Sequence, residues 1–305
     1  MWSFVARRAL TAIFVVFGVV TVIFVLARLT GDPIALMVQP GMSDADIDEL
    51  RVYLGLDGTL LQQYWVFLTN ALRGDFGRSP WQLAPAMGLV LERLPATLLL
   101  TVSALGLTLA VGLTVGALSA LNRDKLPDRL AMGFVLLGQS IPSFWLGLML
   151  ILVLSVEFHL LPAAGYGTPM HLIMPAITLG LFSVARLTRL VRSELLDVMS
   201  REYITTARSK GLSERAVTIR HGIRNIVVPI VTLLALDFSV LIGGAVIVET
   251  IFAWPGLGRL MIQAIGQRDF PIIQSGVFVI ALMVVAINLA ADLIYAWFDP
   301  RIRYS

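Results

Sequence analysis

Three polar side chains stand where a bilayer-crossing chain tolerates them least. Asp237 lies near the middle of the apolar run Ile226–Val248, and Asn288 and Asp292 sit four apart in the run Gly276–Phe298, on one helix face. A charge at that depth costs about 2.5–3.5 kcal/mol on insertion scales, so it must meet protein or water. Asp237 could meet a substrate amine, carry a proton in ion-coupled transport, pair with Asp292 for acid–base work, or be a hydrogen-bonded structural acid. Its flanks, Leu236 and Phe238, and those of Asp292, Ala291 and Leu293, carry no catalytic signature. Without cysteine, thiolate catalysis, disulfides and Cys-ligated metals are excluded. His159, His171 and His221 are scattered, which argues against a metal site. No G-x-x-x-x-G-K-[ST] phosphate loop occurs, so the chain is not expected to bind ATP or to be an enzyme.

These residues are carried by apolar helices. The 305 residues are 57% hydrophobic and only 14% charged, against about 25% charged in soluble domains; mean hydropathy is +0.85. Several runs exceed the ~20 residues that cross a bilayer core. The expected fold class is all-α: a polytopic integral membrane protein with six transmembrane helices near Ala9–Leu29, Leu94–Leu121, Leu130–Val156, Leu172–Leu190, Ile226–Val248 and Gly276–Phe298. The first run follows Arg7 and Arg8, lacks a small-x-small cleavage site and reads as a retained anchor. The fourth carries Pro175 inside it and Arg186 and Arg189 at its end.

Basic residues orient the spans. The N-terminal tail has two, the second–third connection three (Arg123, Lys125, Arg129), the fourth–fifth connection nine (Arg186 to Arg224) and the C-terminal tail two (Arg301, Arg303). Those sixteen of 23 fall on one side if there are six spans, which places both termini in the cytoplasm. The third–fourth connection, Glu157–His171, has neither Lys nor Arg.

The chain divides into 1–30 (tail and first span), 31–93 (an external cap), 94–298 (a five-helix core holding a cytoplasmic segment, 200–225) and a tail, 299–305. In the cap, Ser43 and Asp46 resemble a capping box, Gly55 a stop, and Leu61, Tyr64, Trp65, Leu68 and Leu72 one stripe of a helix near Leu60–Leu72. Within the spans, Gln139, Ser140 and Pro142 interrupt the third, where Pro142 removes a backbone hydrogen bond. Gly243 and Gly244 permit close approach or bending, and Gly112 and Gly116 form a packing pair. Together, Gln139, Ser140, Pro142, Asp237, Gly243 and Gly244 are candidates for a pathway. Glu249, Trp254, Pro255 and Gly256 follow the fifth span in a tight turn that shapes an external mouth or serves as an architectural corner.

The most structured connection is Glu202–Pro229, EYITTARSKGLSERAVTIRHGIRNIVVP. Gly211 fits a helix C′ position that needs positive φ. Arg208 and Lys210 suit the preceding helix end, and Ser213 with Glu214 suits the start of a second helix reaching His221. Basic loops that only orient spans or bind lipid headgroups need no such caps. Two short helices about a Gly turn point to a rigid docking element for a cytoplasmic partner.

Here the chain resembles the permeases of bacterial ABC importers, in the dipeptide/oligopeptide/nickel (DppB/OppB-like) branch. Thr205, Thr206 and Ala207 occupy the Glu-Ala-Ala slots of their coupling loop and Gly211 keeps its spacing, while His221-Gly222-Ile223-Arg224-Asn225 replaces the generic Ile-x-Leu-Pro part in the manner of that branch. Ordered blocks similar to the branch cover nearly the whole chain: Gly31-Asp32-Pro33, Leu54 to Asp57, Gly74 to Gly77, Leu94 to Thr97, Gln139 to Trp145, Gly165 to Gly167, Glu249 to Gly258, and Asp299 to Arg303. The resemblance implies a type I ABC-importer permease fold and a subunit rather than a complete machine. Its implied partners are a second homologous permease, two ATPase subunits holding ATP and Mg, an external substrate-binding protein and membrane lipid, with no nucleic acid and no cofactor on this chain. It assigns ATPase coupling to Thr205, Thr206, Ala207, Lys210, Gly211, Leu212, Ser213, Glu214, Arg215, His221, Arg224 and Asn225. The implied function is import of short peptides across the inner membrane by alternating access. The same machinery serves nickel complexes, glutathione or opines, and an ion-coupled secondary transporter is the remaining alternative.

Overall fold

The structure, a computed structural model, describes residues 2–29, 43, 45, 52 and 58–298. The expected capping box at Ser43 and Asp46, the stop at Gly55, the blocks at Gly31 and Leu54 and the tail from Asp299 therefore fall wholly or partly outside the described residues, as does the Asp292 side chain. Among the described residues there is no β-strand, only an isolated bridge between Arg78 and Pro85. The helices are α1 (Trp2–Leu29), α2 (Leu60–Leu72), α3 (Ala86–Leu121), α4 (Leu126–Ser140), α5 (Ser143–Leu150, extended by a π-helical stretch Ile151–Glu157), α6 (Pro169–Met199), α7 (Glu202–Ser209), α8 (Glu214–Ala216), α9 (Val227–Ile251), α10 (Leu257–Gln267) and α11 (Phe270–Phe298). A π turn, Val217–Gly222, and a 3₁₀ turn, Ile223–Ile226, join α8 to α9.

Four helical stretches of the described residues are long and apolar enough to cross a membrane, and α4 with α5 counts as a fifth if that bent pair is one span. The apolar part of α1 is the shorter stretch Ile13–Leu26. The expected third span is not continuous. Pro142 disfavours helical backbone in the residue before it, so Ile141 is extended (φ −83°, ψ 121°), α4 ends, and α5 departs at 104°.

The chain forms two compact units. In the first, residues 1–95 with 259–286, α2 packs on α1. Val20, Ile23, Ala71, Phe76 and Phe278 form the core, and the Tyr64 and Thr21 hydroxyls meet at 2.7 Å. A capping box starts α2: Thr59 Oγ1 accepts from Gln62 N, and Gln62 Oε1 accepts from Thr59 N at 2.9 Å. The stripe expected of α2 is divided. Tyr64 and Leu68 face protein with Phe67 and Ala71, whereas Leu61, Trp65 and Leu72 are exposed.

In the second unit, residues 96–258 with 287–305, α6 is the central helix and packs on α4, α5 and α9. Its 31 residues span about 46 Å, well beyond a ~30 Å hydrocarbon core. Small residues bring α3 against it: a Cβ on Gly112 would stand 2.9 Å from Leu187, and one on Gly116 2.7 Å from the Thr188 carbonyl. Leu100, Met174, Ala245, Val248 and Phe252 fill one core, and Leu187, Val191, Leu195, Ile226 and Ile230 a second beside α7 and α8. Two ion pairs fasten α6. Arg192 grips Asp128 at the start of α4 with both arms, at 2.6 and 2.7 Å, while Ser119 and the Asp124 N–H donate to the same carboxylate. Arg186 Nη1 donates to Asp237 Oδ1 at 2.8 Å.

Candidate functional site

The α7–α8 segment is built by local rules. Helix α7 ends in a Schellman motif: Gly211 N donates to Arg208 O at 2.9 Å and Leu212 N to Ala207 O at 3.4 Å. This requires the left-handed backbone, and Gly211 has φ +81°. Ser213 then caps α8, its Oγ accepting from Ala216 N at 3.3 Å. Across the turn Arg208 donates to both Glu214 oxygens, at 2.8 and 3.1 Å, and this raises the guanidinium pKa above its ordinary value. So exposed a pair adds little stability, but its two-pronged geometry fixes the angle of the turn.

Beneath the turn, Ile204, Ala207 and Val217 are buried against Val198 and Met199 at the end of α6. Gly222 completes the seat, since a Cβ there would come within 2.7 Å of Leu195 Cδ1. The outer face is open. Thr205, Thr206, Lys210, Gly211, Leu212, Ser213, Glu214, Arg215, Arg224 and Asn225 are all exposed, whereas Ala207 is an inward anchor and His221 is half-buried, its carbonyl accepting from Asn225. Tyr203 and Ile219 add exposed apolar surface to Leu212. The arrangement is a capped, basic and partly apolar knob in the connection between α6 and α9.

The other candidate residues separate into two places. Gln139, Ser140, Pro142 and Gly244 line a cavity of about 450 Å³ at the α4–α5 break. Gly243 points to open space instead. Asp237 is fully buried in its pair with Arg186, and its Oδ2 has no hydrogen-bond partner. Asn288 is exposed on α11.

Glu249, Trp254 and Gly256 are interior, with Pro255 half-buried. Thr97 donates to Glu249 Oε1 at 2.6 Å and accepts from Leu257 N at 2.7 Å; the Trp254 indole donates to Ala96 O at 2.9 Å. A side chain on Gly256 would fall inside the Glu249 carboxyl group. Tyr166 packs edge-on to Trp254 and Gly165 N donates to Phe252 O, so three of the sequence blocks meet in one knot. Sequence reading missed Thr97 as the partner of Glu249 and the Asp128–Arg192 clamp. A buried acid needs a donor, and that rule is the only signal that points to either.

The described residues thus combine several helices long and apolar enough to cross a membrane with a capped, exposed helical turn between two of them. The chain belongs to the family described as binding-protein-dependent transport system inner membrane component, whose profile matches residues 112–304. The companion N-terminal profile of the same systems matches residues 1–110. Among its relatives, the glutathione transport system permease protein GsiC of Escherichia coli (strain K12) is 39% identical over 306 residues, covering 100% of both chains. The protein of that name in Shigella flexneri serotype 5b (strain 8401) matches with the same figures. The fold is shared with a chain of the inward-facing MetNI methionine ABC transporter, with TM-score 0.59, 20% identity and coverage of 70% of this chain and 97% of that one. The protein is thus the permease subunit of an ABC importer, a multi-pass protein of the inner membrane, and its family implies ATPase, substrate-binding and second-permease partners.

Proposed function

We propose that this chain pairs with a second, homologous permease and imports short peptides, glutathione among them, while two partner ATPases bind and hydrolyse ATP with Mg. No cofactor resides on this chain. Both termini are cytoplasmic and six helices cross the membrane, α1 being the first; the basic residues concentrated in alternate connections support this orientation. Residues 31–93 form the external cap, 94–298 the permease core with the coupling segment 200–225, and 299–305 the cytoplasmic tail.

The observation that carries the reading is the exposed α7–Gly211–α8 knob seated on α6. ATP binding draws the ATPase subunits together, their grooves carry the knob with them, and α6 transmits the motion to α4, α5 and α9. The cavity at the α4–α5 break then opens to one side or the other. Gly243 and Gly244 let α9 adjust, Asp237 holds α9 to α6 near this path, and the Glu249–Trp254–Pro255–Gly256 corner sets the shape of the external mouth. The peptide assignment draws on the glutathione permeases that match the chain end to end.

Uptake of radiolabelled glutathione into proteoliposomes bearing the full complex tests this. Uptake should need ATP and survive a protonophore. Uptake that persists without ATP and collapses with the protonophore would replace the reading with ion-coupled transport.

A further inference from the structure

The α4–α5 break lies inside a bent helix pair that passes as one membrane span only when the two are taken together. Pro142 has no N–H, and no side chain caps the first turn of α5. Non-helical backbone at that depth is tolerated only where protein buries it or a water-filled cavity solvates it. Here it lines the 450 Å³ cavity, a size in the range of small-ligand sites.

The lining is mostly apolar, and the polar groups set in it are uncharged. Gln139, Ser140, Ser143, Thr178 and Ser183 contribute amide and hydroxyl groups, and no Asp, Glu, Lys or Arg takes part. The hydroxyls of Ser140 and Thr178 are committed to carbonyls of their own helices, Leu136 and Met174, at 2.8 Å each. Neither the Gln139 carboxamide nor the Ser143 hydroxyl is hydrogen-bonded to another described residue. The nearest charges lie one turn further along both walls: Arg186 follows Phe182 and Ser183 on α6, and Asp237 precedes Val240 and Leu241 on α9. They neutralise each other in the 2.8 Å pair.

A neutral site of this kind suits a neutral partner that both donates and accepts. The peptide group is such a partner, and a Gln carboxamide can pair with it in both directions. We propose that Gln139 and Ser143 form a transit station that hydrogen-bonds the backbone peptide groups of the substrate during translocation. This inference rests on the peptide-importer reading above. A contact made to the peptide backbone ignores side chains, so the station serves all short peptides alike and leaves selection to the external protein.

The test uses the full complex in proteoliposomes with saturating loaded binding protein, and four probes: glutathione, trialanine and the same two peptides N-methylated at the final peptide nitrogen. Uptake per ATP hydrolysed by the unaltered complex should be about tenfold lower for the methylated probes, the factor that one lost hydrogen bond carries. Gln139→Leu with Ser143→Ala should bring the unmethylated probes down at least to that level and lower the methylated ones by a smaller factor, because these have already lost one of the bonds. Gln139→Asn with Ser143 retained should restore most of the loss, which a purely structural role would not predict. A double variant that assembles, keeps its ATPase stimulation and moves all four probes as the unaltered complex does would overturn the station. If the double variant does not assemble, Ser143→Ala alone is read by the same two criteria. Absence of ATP-dependent uptake of every probe by the unaltered complex would instead remove the peptide-importer reading, and the station with it.

Discussion

Replacing Gly211 isolates backbone hand from side-chain bulk. The residue stands at φ +81°, and a Cβ there would meet nothing within 4 Å. The penalty of a substitution is therefore conformational rather than steric. An L-residue in the left-handed region costs roughly 1–2 kcal/mol, Asn is the residue that bears it best, and a β-branched residue bears it worst. A turn that escapes the penalty gives up the Leu212–Ala207 and Gly211–Arg208 bonds of the Schellman motif, and Glu214 leaves Arg208. At 1–2 kcal/mol the ratio of correctly folded to open turn falls about 5- to 30-fold. Hydrogen exchange over residues 205–217 should accelerate in the order Gly, Asn, Ala, Val, with Val fastest by about that factor, and peptide uptake per ATP should fall in the same order. Wild-type coupling in Gly211→Val would refute the argument. So would an Asn variant as poor as Val, because size rather than backbone hand would then be at issue.

Asp128→Ala should destabilise the permease by about 3 kcal/mol, the lower end for breaking a buried pair, because Arg192 keeps 24% of its side chain exposed; unfolding by detergent titration in mixed micelles reads this. Gly256→Ala should prevent stable assembly, since its methyl group would occupy the space of the Glu249 carboxyl, and size-exclusion profiles of the solubilised complex should show it as aggregation. Ile204→Ala removes the fully buried anchor of the knob. It should cost about 2–5 kcal/mol locally and lower coupling without abolishing binding of the ATPase subunits, as co-purification would show.

The caps and turn of residues 202–216 were legible because their signals are local. Gly211, Ser213 and Glu214 act within a few residues of one another, and each stands where the caps require. The partners of the buried acids were not legible, because Asp128 and Arg192 lie 64 residues apart and Thr97 and Glu249 lie 152 apart. Helix α2 misled for a different reason. Its apolar residues exceed one helix face, so Tyr64, Phe67, Leu68 and Ala71 take the protein side while Leu61, Trp65 and Leu72 are left exposed. The helix that carries the fourth span, α6, continues to Met199, and two of its arginines, Arg186 and Arg192, are paired with Asp237 and Asp128. Pro142 marked an interruption of the third span, but not its size: with the extended Ile141 before it the chain turns through 104°.

The docking of the α7–Gly211–α8 knob on an ATPase is tested most directly by a single cysteine, which the sequence makes clean because it contains none. Leu212→Cys, exposed at the turn, should cross-link to an ATPase subunit in the assembled, transport-active complex and resist a membrane-impermeant thiol reagent added to intact cells. Labelling from outside, or an active complex in which Cys at 212 never cross-links to an ATPase, would contradict the account.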